Sequence, residues 1–261
     1  MRTAKTVLTV IQERGKQKKP IERVYKLLFN RELYLNAYAK LYPNNGAMTK
    51  GVTNETVDGM SIQKIDRMIE ILREEKYQWK PARREYIKKK NGKKRPLGIP
   101  VWGDKVLQEV MRQILEAYYE PQFSEHSHGF RPNRGCHTAL QEIQVWKGTR
   151  WFIEGDISQY FDTIDHKILL EILARNIHDG RFIRLVSNML EAGYLEEWKF
   201  KQTISGVPQG GVISPILANI YLNEFDNWIE EVLIPKYTKG KRQKSNPEYN
   251  KLTAEIQKLR K

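Results

Sequence analysis

Residues 151–162, Trp-Phe-Ile-Glu-Gly-Asp-Ile-Ser-Gln-Tyr-Phe-Asp, constrain this chain more than any other stretch, because three large apolar residues run directly into a glycine and a carboxylate. Trp151, Phe152 and Ile153 predict a short buried strand, Gly155 allows another backbone or a ligand to approach closely, and the strand end then presents Asp156. Asp165 stands before Ile168, Leu169, Ile172 and Leu173 at helical spacing, which predicts an N-cap. Taken alone, an aspartate in such a place serves a turn or a cap as readily as chemistry. Its meaning depends on what accompanies it.

Fifty residues on, Ser205 to Asn219 form a glycine- and proline-punctuated turn followed by a helical apolar pattern, with Gly206, Pro208, Gln209, Gly210, Gly211 and then Ser214 and Pro215 placed to start a long helix through Ile216, Leu217, Ile220, Tyr221, Phe225, Trp228 and Val232. GDISQYFDTIDH (155–166) and GVPQGGVISPILANIYLNEFD (206–226) resemble the first palm motif and the PQG motif of reverse transcriptases. HSHGFRPNRGCHTAL (126–140) is similar to the corresponding segment of the bacterial group II intron-encoded reverse transcriptase and maturase proteins. The resemblance runs from about residue 34 to residue 226. It implies an α+β, helix-rich fold: right-hand polymerase fingers and a partial palm with a small antiparallel sheet, preceded by a helical extension. Two further metal-binding aspartates of that family sit in a Tyr/Phe-Ala-Asp-Asp hairpin after the PQG helix, and the sequence reaches Lys261 without it. The expectation for the 261-residue chain alone is therefore no polymerase activity, with the parent protein an RNA-directed DNA polymerase.

Charge supports a polyanion as partner. The chain carries a net +14, distributed as +5 over residues 1–23, +1 over 24–79, +8 over 80–105, −7 over 106–235 and +7 over 236–261. An acidic middle between basic flanks suits a cation-binding centre bordered by surfaces that neutralise phosphates, although a solvated charge mosaic gives the same totals. The single cysteine, Cys136, excludes an intramolecular disulfide and fits a reducing compartment; with no long apolar run and no secretory signal pattern, the expectation is a soluble, cytoplasmic protein without a membrane partner.

The chain divides into 1–78, a basic arm and helical extension; 79–148, fingers; 149–235, partial palm; and 236–261, a basic tail. Residues 1–20 show little apolar periodicity and predict an arm that orders only on RNA. One or two helices follow to Tyr42, broken near Asn30, and Ser61 caps another. The intervening loop, 44–59, is either a connector or, by resemblance, an RNA contact. Asn91 and Gly92 signal a hairpin whose tip carries Lys88, Lys89, Lys90, Lys93, Lys94 and Arg95. Asp104 reads as the cap of a core-packing helix, and residues 194–204 as a strand or small hairpin. His126, His128, Cys136 and His137 match no usual zinc spacing.

By resemblance, Asp156 is catalytic and binds metal together with the backbone carbonyl of Ile157, within a centre for two Mg²⁺ ions. Lys89 and Arg95 hold the triphosphate, Phe161 lies under the sugar and rejects a ribose 2′-hydroxyl, and Gln209 and Gly210 meet the incoming nucleotide. Lys88, Lys90, Arg131 and Arg134 face RNA. The implied partners are group II intron RNA, an RNA template with DNA primer, and a dNTP, with a homodimer left open. Two other readings remain: a non-catalytic RNA-binding splicing cofactor module, and the reverse transcriptase of a retron or diversity-generating element.

Overall fold

The computed structural model describes residues 3–88, 92, 94–146, 152–197, 199–203, 205–207, 210–238 and 246–260. The chain separates into two units, Met1–Glu224 and Phe225–Lys261.

In the first unit, helices α1 (Ala4–Lys16), α2 (Arg31–Leu41) and α3 (Ile62–Arg73) come before a ribbon of β2 (Ala82–Lys88) and β3 (Lys94–Ile99). Then comes α4 (Trp102–Tyr119), which is the centre of the unit: Val106, Leu107, Val110, Met111, Ile114, Leu115 and Tyr118 are all fully buried. Such a helix has almost no polar face, so its charged residues must pair internally. Glu109 does so through both Arg112 (2.6 Å) and Lys40 of α2 (3.3 Å).

Within the N-terminal arm, residues 4–16 form a packed helix. Thr3 caps α1, and Ala4, Ile11 and Gly15 are buried while Leu8 packs against the core. A Cβ at Gly15 would lie 2.1 Å from the carbonyl oxygen of Tyr118, so α1 rests backbone-to-backbone on α4. The spacing 4, 8, 11, 15 is helical, but two of its four members are alanine and glycine, too small to register as an apolar stripe.

Asn30 does break the next segment. A 3₁₀ turn, Val24–Phe29, ends there, and its side chain accepts the Glu32 N–H to start α2. A two-residue strand β1 (Ile21–Glu22) pairs in parallel with β4 (Ile177–His178). Between them in sequence lie α5 (Cys136–Gln144), the single turn α6 (Tyr160–Thr163) and α7 (His166–Asn176), the last capped by Asp165 as predicted, with Oδ1 accepting from Ile168 N at 3.0 Å. Helix α8 (Gly180–Glu191) follows, then a hairpin of β5 (Tyr194–Glu196) and β6 (Lys199–Lys201). The larger sheet has the order β3-β2-β5-β6, and it is mixed, not antiparallel throughout, because β2 and β5 run parallel. Arg84 of β2 lies over the Tyr194 ring at 3.6 Å across that junction.

Helix α9 (Ser214–Trp228) ends in the second unit and continues as a π turn, Ile229–Leu233, into α10 (Ile234–Tyr237). The Ile234 N–H bonds Ile229 O, one residue further back than in an α-helix, immediately before Pro235, which has no N–H to offer. Asn246 caps α11 (Pro247–Leu259), whose Tyr249, Leu252, Ile256 and Leu259 are exposed. No helix among the described residues is long and apolar enough to cross a membrane.

Candidate functional site

The ribbon supplies cations. Its register pairs Ile87 with Arg95 and Lys88 with Lys94, so lysines stand on both strands at the last described rung, and Lys88, Lys94 and Arg95 are exposed. Gly92 has φ +78°, the conformation a hairpin tip asks of glycine. Lys89 and Lys90 lie outside the described residues, as do Pro208 and Gln209.

The glycine that closes the PQG triplet sits on the base of this ribbon. Gly210, at φ +109°, lies so close to β3 that a Cβ would be 2.6 Å from the Gly98 oxygen and 2.8 Å from Leu97 Cδ1. Two residues on, Val212 N donates to Gln108 Oε1 of α4 at 2.8 Å. The start of the same turn is clamped to the segment behind Asp156: Gly206 N donates to Ile164 O (2.8 Å), Val207 N to Phe161 O (2.7 Å) and Ser205 Oγ to Asp162 O (3.2 Å). Ribbon, turn and post-Asp156 helix are thus joined by direct contacts.

Asp156 itself is exposed and has no ion pair among the described residues. The predicted strand before it is not formed. Phe152 is 66% and Ile153 92% exposed, and no strand among the described residues pairs with them. An extended segment becomes a strand only when a neighbour takes its N–H and C=O groups, and the assigned sheets place none there; Trp151 is outside the described residues. Ile157 follows, half exposed. The described residues hold no group of three or more metal-ligand side chains, so Asp156 and the Ile157 carbonyl do not by themselves compose a two-ion site.

Phe161 is partly buried against the core, edge-on to Phe130 (6.4 Å between centroids) and to Tyr160 (5.7 Å). Phe130 belongs to the loop 123–135, which Asn219 of α9 fixes by donating to Gly129 O at 2.8 Å. That loop corrects one RNA-facing assignment. Arg131 is buried, paired with Glu120 at 3.0 Å and donating to the carbonyls of Ser124 and Ser127, because an arginine enclosed by a loop is stable only when its donors are all used. Arg134 is half-exposed and donates to Glu125 O. His128 (2.8 Å) and His126 both bond Glu142 of α5, holding its carboxyl below the usual range and bracing the loop.

Helix α4 does more than pack. Asp104 is not its N-cap: that position is Val101, with no side-chain cap bond. Instead Asp104 Oδ1 accepts from Tyr77 OH (2.7 Å) and Oδ2 from Lys80 N (3.0 Å), and burial pushes its carboxyl up to about 6 against those two hydrogen bonds. Lys105 Nζ donates to Gly46 O (3.1 Å) and Thr49 O (3.0 Å), which with Arg83 Nε to Lys50 O (3.0 Å) pins the loop 44–59 beside β3. With Gln108 on the turn, one helical end therefore positions three segments. The signal in the sequence is three polar residues, Asp104, Lys105 and Gln108, within a pattern too apolar to leave them a solvent face.

Residues 87–241 match the family model for "Reverse transcriptase (RNA-dependent DNA polymerase)". The chain belongs to the reverse transcriptase family. Within that family it is similar to the group II intron-encoded protein LtrA of Lactococcus lactis subsp. cremoris, with 47% identity over 239 residues, 91% of this chain and 40% of that protein. It is similar also to an uncharacterized 91 kDa protein in the cob intron of Schizosaccharomyces pombe (47% identity, 88% of this chain and 29% of that protein) and to protein YkfC of Escherichia coli (40% identity, 88% and 62%). The chain thus spans about 40% of the length of the first of these relatives. Among solved structures, a partial Cas6-RT-Cas1–Cas2 complex shares the fold at TM-score 0.52 and 20% identity, covering 80% of this chain and 35% of that one.

Proposed function

We propose that this chain provides the fingers and part of the palm of a group II intron reverse transcriptase and maturase, which binds its intron RNA and extends a DNA primer on an RNA template. The observation that carries this reading is the seating of Gly210 on Leu97 and Gly98, which puts the turn after Gln209 against the cationic ribbon. In this proposal Lys89 and Arg95 hold the triphosphate, as guanidinium and ammonium groups stabilise the charge that grows on a departing pyrophosphate. Phe161, backed by Phe130 and Tyr160, forms the floor under the sugar, and Gln209 and Gly210 meet the dNTP. Asp156 and the Ile157 carbonyl are donors to Mg²⁺, two ions of which supply activation of the 3′-hydroxyl and neutralisation of the triphosphate when further carboxylates complete the set. Lys88, Lys90 and Arg134 contact RNA. Cys136 is exposed, which fits a reducing compartment, and the cytoplasm is the proposed location.

The test is primer extension on RNA with dNTPs and Mg²⁺ by the protein carrying this chain. Asp156→Ala is expected to abolish synthesis; synthesis retained at the wild-type rate rejects the assignment. A second reading, a non-catalytic RNA-binding module, is favoured for the 261-residue chain alone by the isolation of Asp156 among the described residues. It predicts salt-dependent RNA binding without primer extension, and efficient extension by that chain overturns it. Self-association, which the sequence leaves open, is read in the same samples by light scattering.

A further inference from the structure

Phe130 is a large apolar residue in a place that folding alone does not favour. It is 70% exposed, and its backbone is left-handed, with φ +55°. The ring gains little from burial there, and a left-handed backbone costs a bulky residue free energy that glycine or asparagine largely avoids. The loop nevertheless fixes it from both sides. Gly129 O accepts from Asn219 Nδ2 at 2.8 Å, and Arg131 is held by Glu120 and by the carbonyls of Ser124 and Ser127. The Phe130 ring then stands edge-on to Phe161, with 6.4 Å between centroids and 85° between planes, an attractive geometry for two aromatic rings.

Phe161 is anchored through its backbone, since its O accepts from Val207 N at 2.7 Å. Its neighbour Tyr160 is anchored too, the hydroxyl donating to Ala218 O at 2.8 Å. Ala218 and Asn219 are consecutive residues of α9, so one helix holds both the turn that carries Phe161 and the loop that carries Phe130. The Phe161 ring meets the Tyr160 ring from its own turn and the Phe130 ring from outside it. A ring under a sugar rejects an added hydroxyl only if it cannot move aside, because crowding is costly only where the neighbours hold firm.

We propose that Phe130 is a positioning residue that keeps the Phe161 ring from yielding, so that the preference for deoxynucleotides over ribonucleotides is a property of the pair. This rests on the reading of Phe161 as the floor under the sugar. It assigns to the exposed, left-handed phenylalanine the work that its burial does not explain.

The experiment measures kcat and KM for single additions of a dNTP and of the matching rNTP by the protein carrying this chain. Phe130→Ala is expected to lower the dNTP to rNTP ratio of kcat/KM roughly tenfold, mainly through a lower KM for the ribonucleotide. Phe130→Tyr keeps the ring and is expected to keep the ratio. Phe130→Asn suits the left-handed backbone, so it removes the ring without straining the loop; it should melt no lower than the wild type and lose selectivity as the alanine variant does. Phe161→Val is expected to lower the ratio further, and adding Phe130→Ala to it should change nothing more. A ratio unchanged in Phe130→Ala and Phe130→Asn but lowered in Phe161→Val overturns this proposal and leaves the floor reading standing. An equal loss for both nucleotides overturns it in favour of a structural role, as do independent, multiplying effects in the double variant. A ratio unchanged in Phe161→Val, or no extension by the wild-type protein, rejects the underlying reading and the proposal with it.

Discussion

The start of α4 and the segment around Asp156 are opposites. Asp104, Lys105 and Gln108 are buried, and each is bonded to a different segment that borders the ribbon or the turn. Phe152 to Ile157 are exposed and, among the described residues, have no strand beside them. The base of the ribbon and the start of the turn at Gly210 rest on a buried scaffold, whereas Asp156 stands on an exposed segment. Buried, bonded polar residues pre-organise the first region, and exposure of its side chains sets the second apart from it.

Stability measurements sharpen that contrast most. Leu107→Ala, at a fully buried position of α4, is expected to cost about 2–5 kcal/mol in chemical denaturation, while Ile153→Ala stays within about 0.5 kcal/mol. Comparable losses at the two sites would show that the 152–157 segment is packed. Asp104 provides the next largest effect. Its folded value near 6 lies above the usual 3.8, so the folded chain holds the proton more tightly than the unfolded one. Stability is then highest below about pH 4 and falls as pH rises to 6, by about 3 kcal/mol at most for this group. Asp104→Asn should flatten the difference between pH 4 and 6, and an unchanged slope would remove Asp104 from the account. Gln108→Leu leaves Val212 N without its acceptor, with an expected loss of about 1–3 kcal/mol and faster amide exchange at Val212. Smallest is Asn219→Ala, which frees the loop bearing Phe130 and is expected to cost about 1 kcal/mol.

Motif order and two helical caps were legible because each rests on local chemistry: Ser61 and Asp165 accept the N–H groups expected of caps. The ribbon was legible for the same reason. What local pattern could not reveal was which partner a polar residue finds across the fold. Asp104 looked like a cap and binds Tyr77; Arg131 looked like an RNA contact and is consumed by Glu120 and two carbonyls. The expected burial of Phe152 and Ile153 failed for a related reason, since apolarity predicts burial only where something covers it, and the packing of α1 went unseen because Gly15 is recognised by distance and not by hydropathy.

Hydrogen exchange of the chain with and without an RNA template annealed to a DNA primer tests most directly whether the ribbon, the turn and the Asp156 segment form one site. Without nucleic acid, the amides of residues 152–157 should exchange fast and those of α4 slowly. With it, protection should rise together in 94–98, 205–212 and 152–162. Protection confined to one of these three stretches, or to none, would contradict a single site built from the ribbon, the turn and Asp156.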